Sequence, residues 1–288
     1  MGAPLLWVNG RAADPSAPHL SALDRGFTLA DGLFETVRVY GGTPFRLDRH
    51  LGRLSAGARV LALPLPATLP AMVNDAVRDA RRAGLVDGAL RITVSRGVGA
   101  RGLAPAPDAA PTVVVAIHPI DGPPSPAGAP LAARVARARR NEHAATAGVK
   151  GLAYAEAIIA LAEARAAGAD EAIFLDTAGH VSEATASNLF AVVDGVLVTP
   201  PLSCGVLPGI TREAVLGIAA AHARPAVERV LAPAELSAAS EVFLTSSIRE
   251  IAPVVRLDGR AIGTGVIGEV TRRVRDAYAA LVREECGR

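Results

Sequence analysis

Two rhythms of apolar and polar residues alternate along the chain, and each change of rhythm marks an element. "PLLWVNG" reads as a short strand ended by a turn, and "LFETVRVYGGTPFRL" as two strands joined by a Gly-Gly turn. "DRHLGRLSAGARVLAL" carries apolar residues at helical spacing, and "LPAMVNDAVRDARRAGL" repeats that pattern until Gly84 stops it. "ALRITVSRG" returns to strand alternation, and "PTVVVAIHPI" reads as a buried strand. "DGPPSPAGAP" is rich in proline and glycine and has no period. It predicts a linker at 121–130, between an N-terminal α+β domain over 1–120 and a C-terminal one over 131–288.

The second half opens with the strand "LAARVARAR". A long helix follows, "AYAEAIIALAEARAAG", with Gly168 placed as its C-cap. "EAIFLD", "SNLFAVVDG" and "VLVTPP" are strands with tight turns, and "TREAVLGIAAAHA" is a helix. "SEVFLTSS" is a strand, "PVVRLDGRAI" a hairpin and "GEVTRRVRDAYAALVREE" a terminal helix. Strands and helices mix without a strict βαβ rhythm, so the expected class is α+β.

Composition narrows the function classes. With 288 residues, 50% of them hydrophobic, the chain can bury a substantial core. The net charge is only +2, the arginines are interleaved with acids, and aromatic residues make up 3%. These features argue against nucleic-acid binding. No run of 18 apolar residues and no basic segment leading into an apolar one is present, so neither a membrane span nor a signal peptide is expected. Cys204 and Cys286 have no metal or redox spacing. No metal site is expected, and two lone thiols fit a reducing cytoplasm.

One position stands out against that background. Among 30 basic residues a single lysine occurs, Lys150, in "AATAGVKGLAYAEA". Arginine-rich composition alone explains part of this bias. Lysine can nevertheless do what arginine cannot: lose its proton and attack a carbonyl to form a Schiff base. Its neighbours are small and apolar, and a predicted helix follows. Both disfavour a charged amine.

A Schiff-base lysine often serves pyridoxal phosphate, which also needs a carboxylate at its ring nitrogen and an anion cup for its phosphate. "VSEATASNLF" offers Glu183, followed by Asn188. "GVLPGITREAV" places Gly209, Ile210 and Thr211 at a helix start, where backbone N–H groups attract phosphate. "FLTSSIRE" adds a second turn bearing hydroxyls, and Tyr154 follows Lys150 closely. Each feature alone has a plain alternative: a solvated acid, an ordinary helix cap, a half-buried tyrosine.

Taken in order, these motifs resemble the class-IV aminotransferases, the fold-type IV pyridoxal-phosphate enzymes. The resemblance runs from "LDRGFTLADGLFETVRVYGGTPFRLDRHLGRL" through "VKGLAY", "EATASNLF" and "VLPGITR" to "LTSSIREIAPV". It implies a two-domain fold with the cofactor, pyridoxal 5′-phosphate, between the domains, and a homodimer whose partner closes the site. Lys150 would be the Schiff-base and proton-shuttling residue. Glu183 would meet the ring nitrogen and Leu207 the ring face. Arg46 would grip the phosphate with Gly209, Ile210, Thr211, Ser247 and Ile248, and Tyr154 would lie near the cofactor.

Subgroup features point in several directions. The spacing of Tyr154 from Lys150, and Phe34-Glu35-Thr36, depart from the branched-chain aminotransferases. "SRGVGARGLAPA" carries Arg101-Gly102-Leu103 where the familiar D-amino acid aminotransferases have an R-x-H trap. The same loop looks most like aminodeoxychorismate lyases. The expected reaction is amino transfer from a small amino acid, D-amino acid or similar, to a 2-oxo acid. Release of pyruvate and 4-aminobenzoate from 4-amino-4-deoxychorismate is the alternative, and a non-catalytic pyridoxal-phosphate-binding protein is the reading from another class. Phe34, Arg91 and Arg101 are the expected substrate contacts, with Arg25 and Arg38 as further candidates for the carboxylate.

Overall fold

The computed structural model describes residues 3–99, 101–106, 109–120, 129–221 and 226–287. The expected linker at 121–130 therefore lies, apart from Ala129 and Pro130, outside the described residues. The chain divides into two compact units, the first comprising Met1–Pro123, Val149–Ala153 and Glu284–Arg288, the second Pro124–Gly148 and Tyr154–Arg283.

In chain order the first unit contains β1 (Leu5–Val8), β2 (Arg11–Ala13), α1 (Arg25–Leu29), β3 (Gly32–Tyr40), β4 (Thr43–Pro44), α2 (Leu47–Val60), α3 (Leu69–Arg82), β5 (Gly88–Ser95) and β6 (Thr112–Pro119). The strands form one antiparallel sheet in the order β2-β1-β6-β5-β3-β4. Strand alternation decides which face is covered. Leu33, Val37 and Val39 of β3, Leu90, Ile92 and Val94 of β5, and Val113, Val115 and Ile117 of β6 point to one side. They meet Leu54 and Ala58 of α2 and Val73, Ala76 and Ala80 of α3. Each large aliphatic side chain buried there contributes about 1.5–3 kcal/mol. β6 thus alternates, with Val114 and Ala116 only half-buried, and is not buried throughout as its composition suggests. The opposite face of β3 carries Phe34, Thr36, Arg38 and Tyr40.

The second unit contains β7 (Leu131–Arg140), α4 (Ala155–Ala166), β8 (Glu171–Asp176), β9 (Val181–Ala184), β10 (Asn188–Val193), β11 (Val196–Thr199), a 3-10 turn (Leu202–Cys204), α5 (Ile210–Ala221), β12 (Val227–Glu228), α6 (Pro233–Ala238), β13 (Glu241–Ser246), β14 (Glu250–Leu257), β15 (Arg260–Ala261) and α7 (Glu269–Cys286), the last turn of which belongs to the first unit. The sheet order is β12-β11-β10-β13-β14-β7-β8-β9, with β15 on β14. β7 runs parallel to both β14 and β8, and the hairpins around them are antiparallel. Ile173, Leu189, Val242, Leu244 and Val254 fill one side of this sheet, and α4 covers β7 and β8 with Ala157, Ala160 and Ala164. α4 turns its alanines inward and leaves Ile158 and Ile159 exposed. Glu241 caps α7, accepting from the N–H groups of Val270 and Thr271 at 2.9 and 2.7 Å.

Candidate active site

Lys150 is held by main-chain pairing in the first unit. The N–H of Phe34 donates to the Lys150 carbonyl, and the N–H of Leu152 donates to the Gly32 carbonyl, both at 3.1 Å. These bonds flank an antiparallel bridge between Leu33 and Gly151. The lysine segment thus forms a short extra strand on β3. Gly32 makes this approach possible: a Cβ there would lie 2.7 Å from Leu152 Cδ1 and 2.6 Å from the Val94 carbonyl oxygen. The Lys150 Nζ sits 4.4 Å from the centroid of the buried Phe34 ring, and the Arg91 guanidinium carbon sits 3.8 Å from the same centroid. The structure therefore brings together three of the expected site residues, Lys150, Phe34 and Arg91.

Beneath them lies a charged cluster that sequence reasoning missed. Glu35, fully buried, accepts from Arg53 Nε at 2.8 Å and Nη2 at 2.6 Å, and is 2.7 Å from His50 Nδ1. Because an ionised carboxylate only accepts, His50 donates from Nδ1. Burial pushes Glu35 up, but hydrogen bonds from Arg53 and His50 and the charge of Arg53 outweigh it and hold its carboxyl below the usual value. Burial pulls His50 down and outweighs the opposing pull of Glu35. The charges of Arg53 and Lys150 push in the same direction as burial, so His50 is a neutral group that feels both. The one available signal was spacing: His50 and Arg53 lie three apart on α2, on the face that packs toward β3.

The other arginines sit elsewhere. Arg46, expected at a phosphate, is the left-handed residue preceding α2 and closes its fork on Glu285, with Nη2 to Oε1 at 2.7 Å and Nε to Oε2 at 3.0 Å. Arg25 spends its donors on Asp31 and on the carbonyls of Gly102 and Leu103, each at 2.9 Å. It thereby pins the glycine loop after β5 and is committed as a structural tie. Arg38 is buried, its Nη1 on the carbonyls of Val39 and Gly88 at 3.2 Å. Arg101 is exposed on the pinned loop.

In the second unit Glu183 lies on β9. One carboxylate oxygen is 3.2 Å from Arg140 Nη2. The other accepts from the Leu207 N–H at 2.9 Å and Asn188 Nδ2 at 3.1 Å. Asn188 also donates to the Leu207 carbonyl at 2.8 Å, so Glu183, Asn188 and Leu207 form one rigid group. Arg140, stacked 4.6 Å from the Phe174 ring, is the counter-charge that sequence reasoning missed. Gly209 follows, where any side chain would collide with Asn188 Oδ1. Ile210 and Thr211, both buried, begin α5. The first-turn N–H groups of a helix have no acceptor within it. Ser247 and Ile248 sit half-buried in the turn after β13. Just before that turn, Thr245 pairs with Asn188 across the sheet, and its buried Oγ1 has no hydrogen-bond partner among the described residues. Tyr154 stands at the N-cap position of α4, against its alanine cluster.

Among the described residues no group of histidine, cysteine and acidic side chains could hold a metal ion, and no helix is long and apolar enough to cross a membrane.

Residues 32–257 match the family model Amino-transferase class IV, and the chain belongs to that family. A provisionally named branched-chain-amino-acid aminotransferase of Methanocaldococcus jannaschii is 35% identical over 274 residues, 95% of this chain and 94% of that one. D-alanine aminotransferase of Bacillus licheniformis is 31% identical over 280 residues, 96% of each chain. Two solved structures share the fold. The 4-amino-4-deoxychorismate lyase from Pseudomonas aeruginosa has a TM-score of 0.82 at 38% identity, covering 98% of this chain and 99% of that one. The branched-chain aminotransferase from the archaeon Thermoproteus uzoniensis, solved with norvaline, has a TM-score of 0.89 at 31% identity, covering 98% and 95%. The expected fold-type IV architecture is the one observed. The motif departures from the branched-chain group do not set the chain apart from proteins of that name.

Proposed function

We propose that this enzyme is a pyridoxal-phosphate-dependent aminotransferase that moves the amino group of a small amino acid to a 2-oxo acid. The observation that carries this reading is the position of the only lysine, paired on β3 opposite Phe34 and within reach of the ring that also seats Arg91. The residues fit the cofactor. Lys150 offers an amine for its aldehyde. Glu183, clamped by Arg140, Asn188 and Leu207, offers a fixed carboxylate for its ring nitrogen, and Leu207 a side chain for its face. Gly209, Ile210 and Thr211 offer a helix start for its phosphate, Ser247 and Ile248 a second turn, and Thr245 a buried hydroxyl with no partner among the described residues. Arg46 and Arg53 each close their forks on a carboxylate, Glu285 and Glu35.

When bound, pyridoxal phosphate supplies an electrophilic carbon and a ring that withdraws electrons from the substrate Cα. The chain's own residues do the rest. Lys150 removes and returns the Cα proton through Nζ. Arg91 holds the substrate carboxylate in plane, as a guanidinium fork does, and so fixes the direction of the Cα–H bond. Arg101 approaches from the pinned loop, and Tyr154 donates a hydroxyl.

A homodimer is part of this proposal, supported by the exposed Leu23, Phe27 and Leu103 of the first unit, at 66, 79 and 83%. Sedimentation showing a fully active monomer would contradict it. The second reading, 4-amino-4-deoxychorismate lyase, is favoured by the 38% identity to a solved lyase. A spectral screen of L-amino acids, D-amino acids, an amine and aminodeoxychorismate, with pyruvate scored separately, distinguishes the two. Bleaching by an amino acid with formation of its own 2-oxo acid supports the aminotransferase, and pyruvate release from aminodeoxychorismate alone overturns it.

A further inference from the structure

The amine of Lys150 has a seat of its own. In the register set by Leu33 and Gly151, Phe34 lies directly opposite Lys150. Across β3's other edge Phe34 pairs with Thr93 of β5, and Arg91 lies two residues along that strand, pairing with Thr36. Opposed residues of paired strands project to one face. The Phe34 ring is therefore reached by two cations from opposite flanks of its own strand, Nζ at 4.4 Å and the guanidinium carbon at 3.8 Å from its centroid. Both distances fall within cation–π range, and the ring is 6% exposed, so water screens the contacts little. Glu35 of β3, with His50 and Arg53 of α2, forms the charged cluster on the other side of that strand.

We infer that Phe34 is a positioning residue: its ring seats the Lys150 amine whenever that amine is unbonded, and Arg91, sharing the ring, couples carboxylate binding to the amine. This rests on the reading of Lys150 as the reactive amine. Two like charges at one ring repel. A carboxylate on Arg91 offsets the guanidinium charge and lets the lysine settle closer to the ring. Recognition of one end of an amino acid thereby orders the group that acts at the other.

The single lysine makes the test direct. In the full-length, cofactor-free protein carrying 13C only in lysine, one set of Cε–Hε signals reports Lys150. Those signals should lie upfield of an unstructured lysine, because the ring face shields them. Phe34→Leu should return them to the unstructured position, and Phe34→Tyr, which keeps a ring, should retain the shift. Acetate should move them further upfield in the unmodified protein and leave them in place in Arg91→Gln. Unshifted signals in the unmodified protein, or a shift that survives Phe34→Leu, overturns the seat. An equal acetate response in Arg91→Gln, or none in the unmodified protein, overturns the coupling. Borohydride trapping of pyridoxal phosphate on Lys150 is run in parallel. Its failure overturns the assigned reaction, whereas trapping without a ring shift overturns the seat alone.

Discussion

Glu35 gives the sharpest stability test. It is fully buried and accepts three hydrogen bonds, two from Arg53 and one from His50. Glu35→Gln keeps the shape but leaves one acceptor oxygen. The new NH2 group then faces a donor of Arg53 or His50, and the Arg53 charge, 10% exposed, loses its counter-ion. Breaking a buried pair by removing one partner costs about 3–5 kcal/mol. For a chain of this size that is a fall in Tm on the order of 10 °C. Denaturant melts of the variant, of Arg53→Met and of the double variant close the cycle. The double variant should be less destabilised than the two single costs together, because no buried charge is left alone. A single-variant loss below about 1 kcal/mol, the range of an exposed pair, would refute the buried pairing. The pH dependence has a definite sign. His50 sits below its ordinary 6.5, so on acidification the unfolded chain takes up that proton first. Its contribution is complete above about pH 6.5 and is lost as pH falls toward the folded value. Glu35, held below 4.5, adds a second loss further into acid, and Glu35→Gln should abolish that lower limb.

The remaining expectations concern the second unit. Glu183→Gln should keep the fold and slow the half-reaction by roughly 10²–10³-fold, as loss of a positioned electrostatic group does. An unchanged stopped-flow rate would remove Glu183 from the ring nitrogen. Gly209→Ala, which drives a methyl group into Asn188, should cost about 1–3 kcal/mol and weaken pyridoxal-phosphate binding measured by fluorescence titration. Undiminished affinity would place the phosphate elsewhere. Burial, with Asp176 and Glu142 nearby, pushes the Cys204 thiol up to about 11, so its thiolate fraction near neutral pH is about one in ten thousand. Peptide mapping after a thiol reagent should leave Cys204 unlabelled in the folded protein, and rapid labelling would show that the thiol is open to solvent.

The elements that hold most of the site were legible in the chain because their signals are local. Alternation marked β5, an apolar run marked β6, helical spacing marked α2 and α3, and the Gly-Gly pair marked the β3–β4 hairpin. The short pieces, β2, α1, β9, α6 and β12, carry too few residues for a period to show, and tertiary contacts hold them. Lys150 and Glu183 stood out as candidates by chemistry: one is the only lysine, and the other stands in a recognisable run. Arginines were another matter. Twenty-nine of them look alike in sequence, and what each does depends on which carboxylate or carbonyl the fold brings within about 3 Å, the reach of a hydrogen bond. Arg46 went to Glu285, far along the chain, Arg25 to its loop, Arg140 to Glu183 and Arg53 to Glu35. Residue type and period are properties of neighbours in sequence, and the chain alone determined them. Pairing between residues remote in sequence is decided by sheet register and helix packing, so only the tertiary structure could show that Phe34 stands between Lys150 and Arg91.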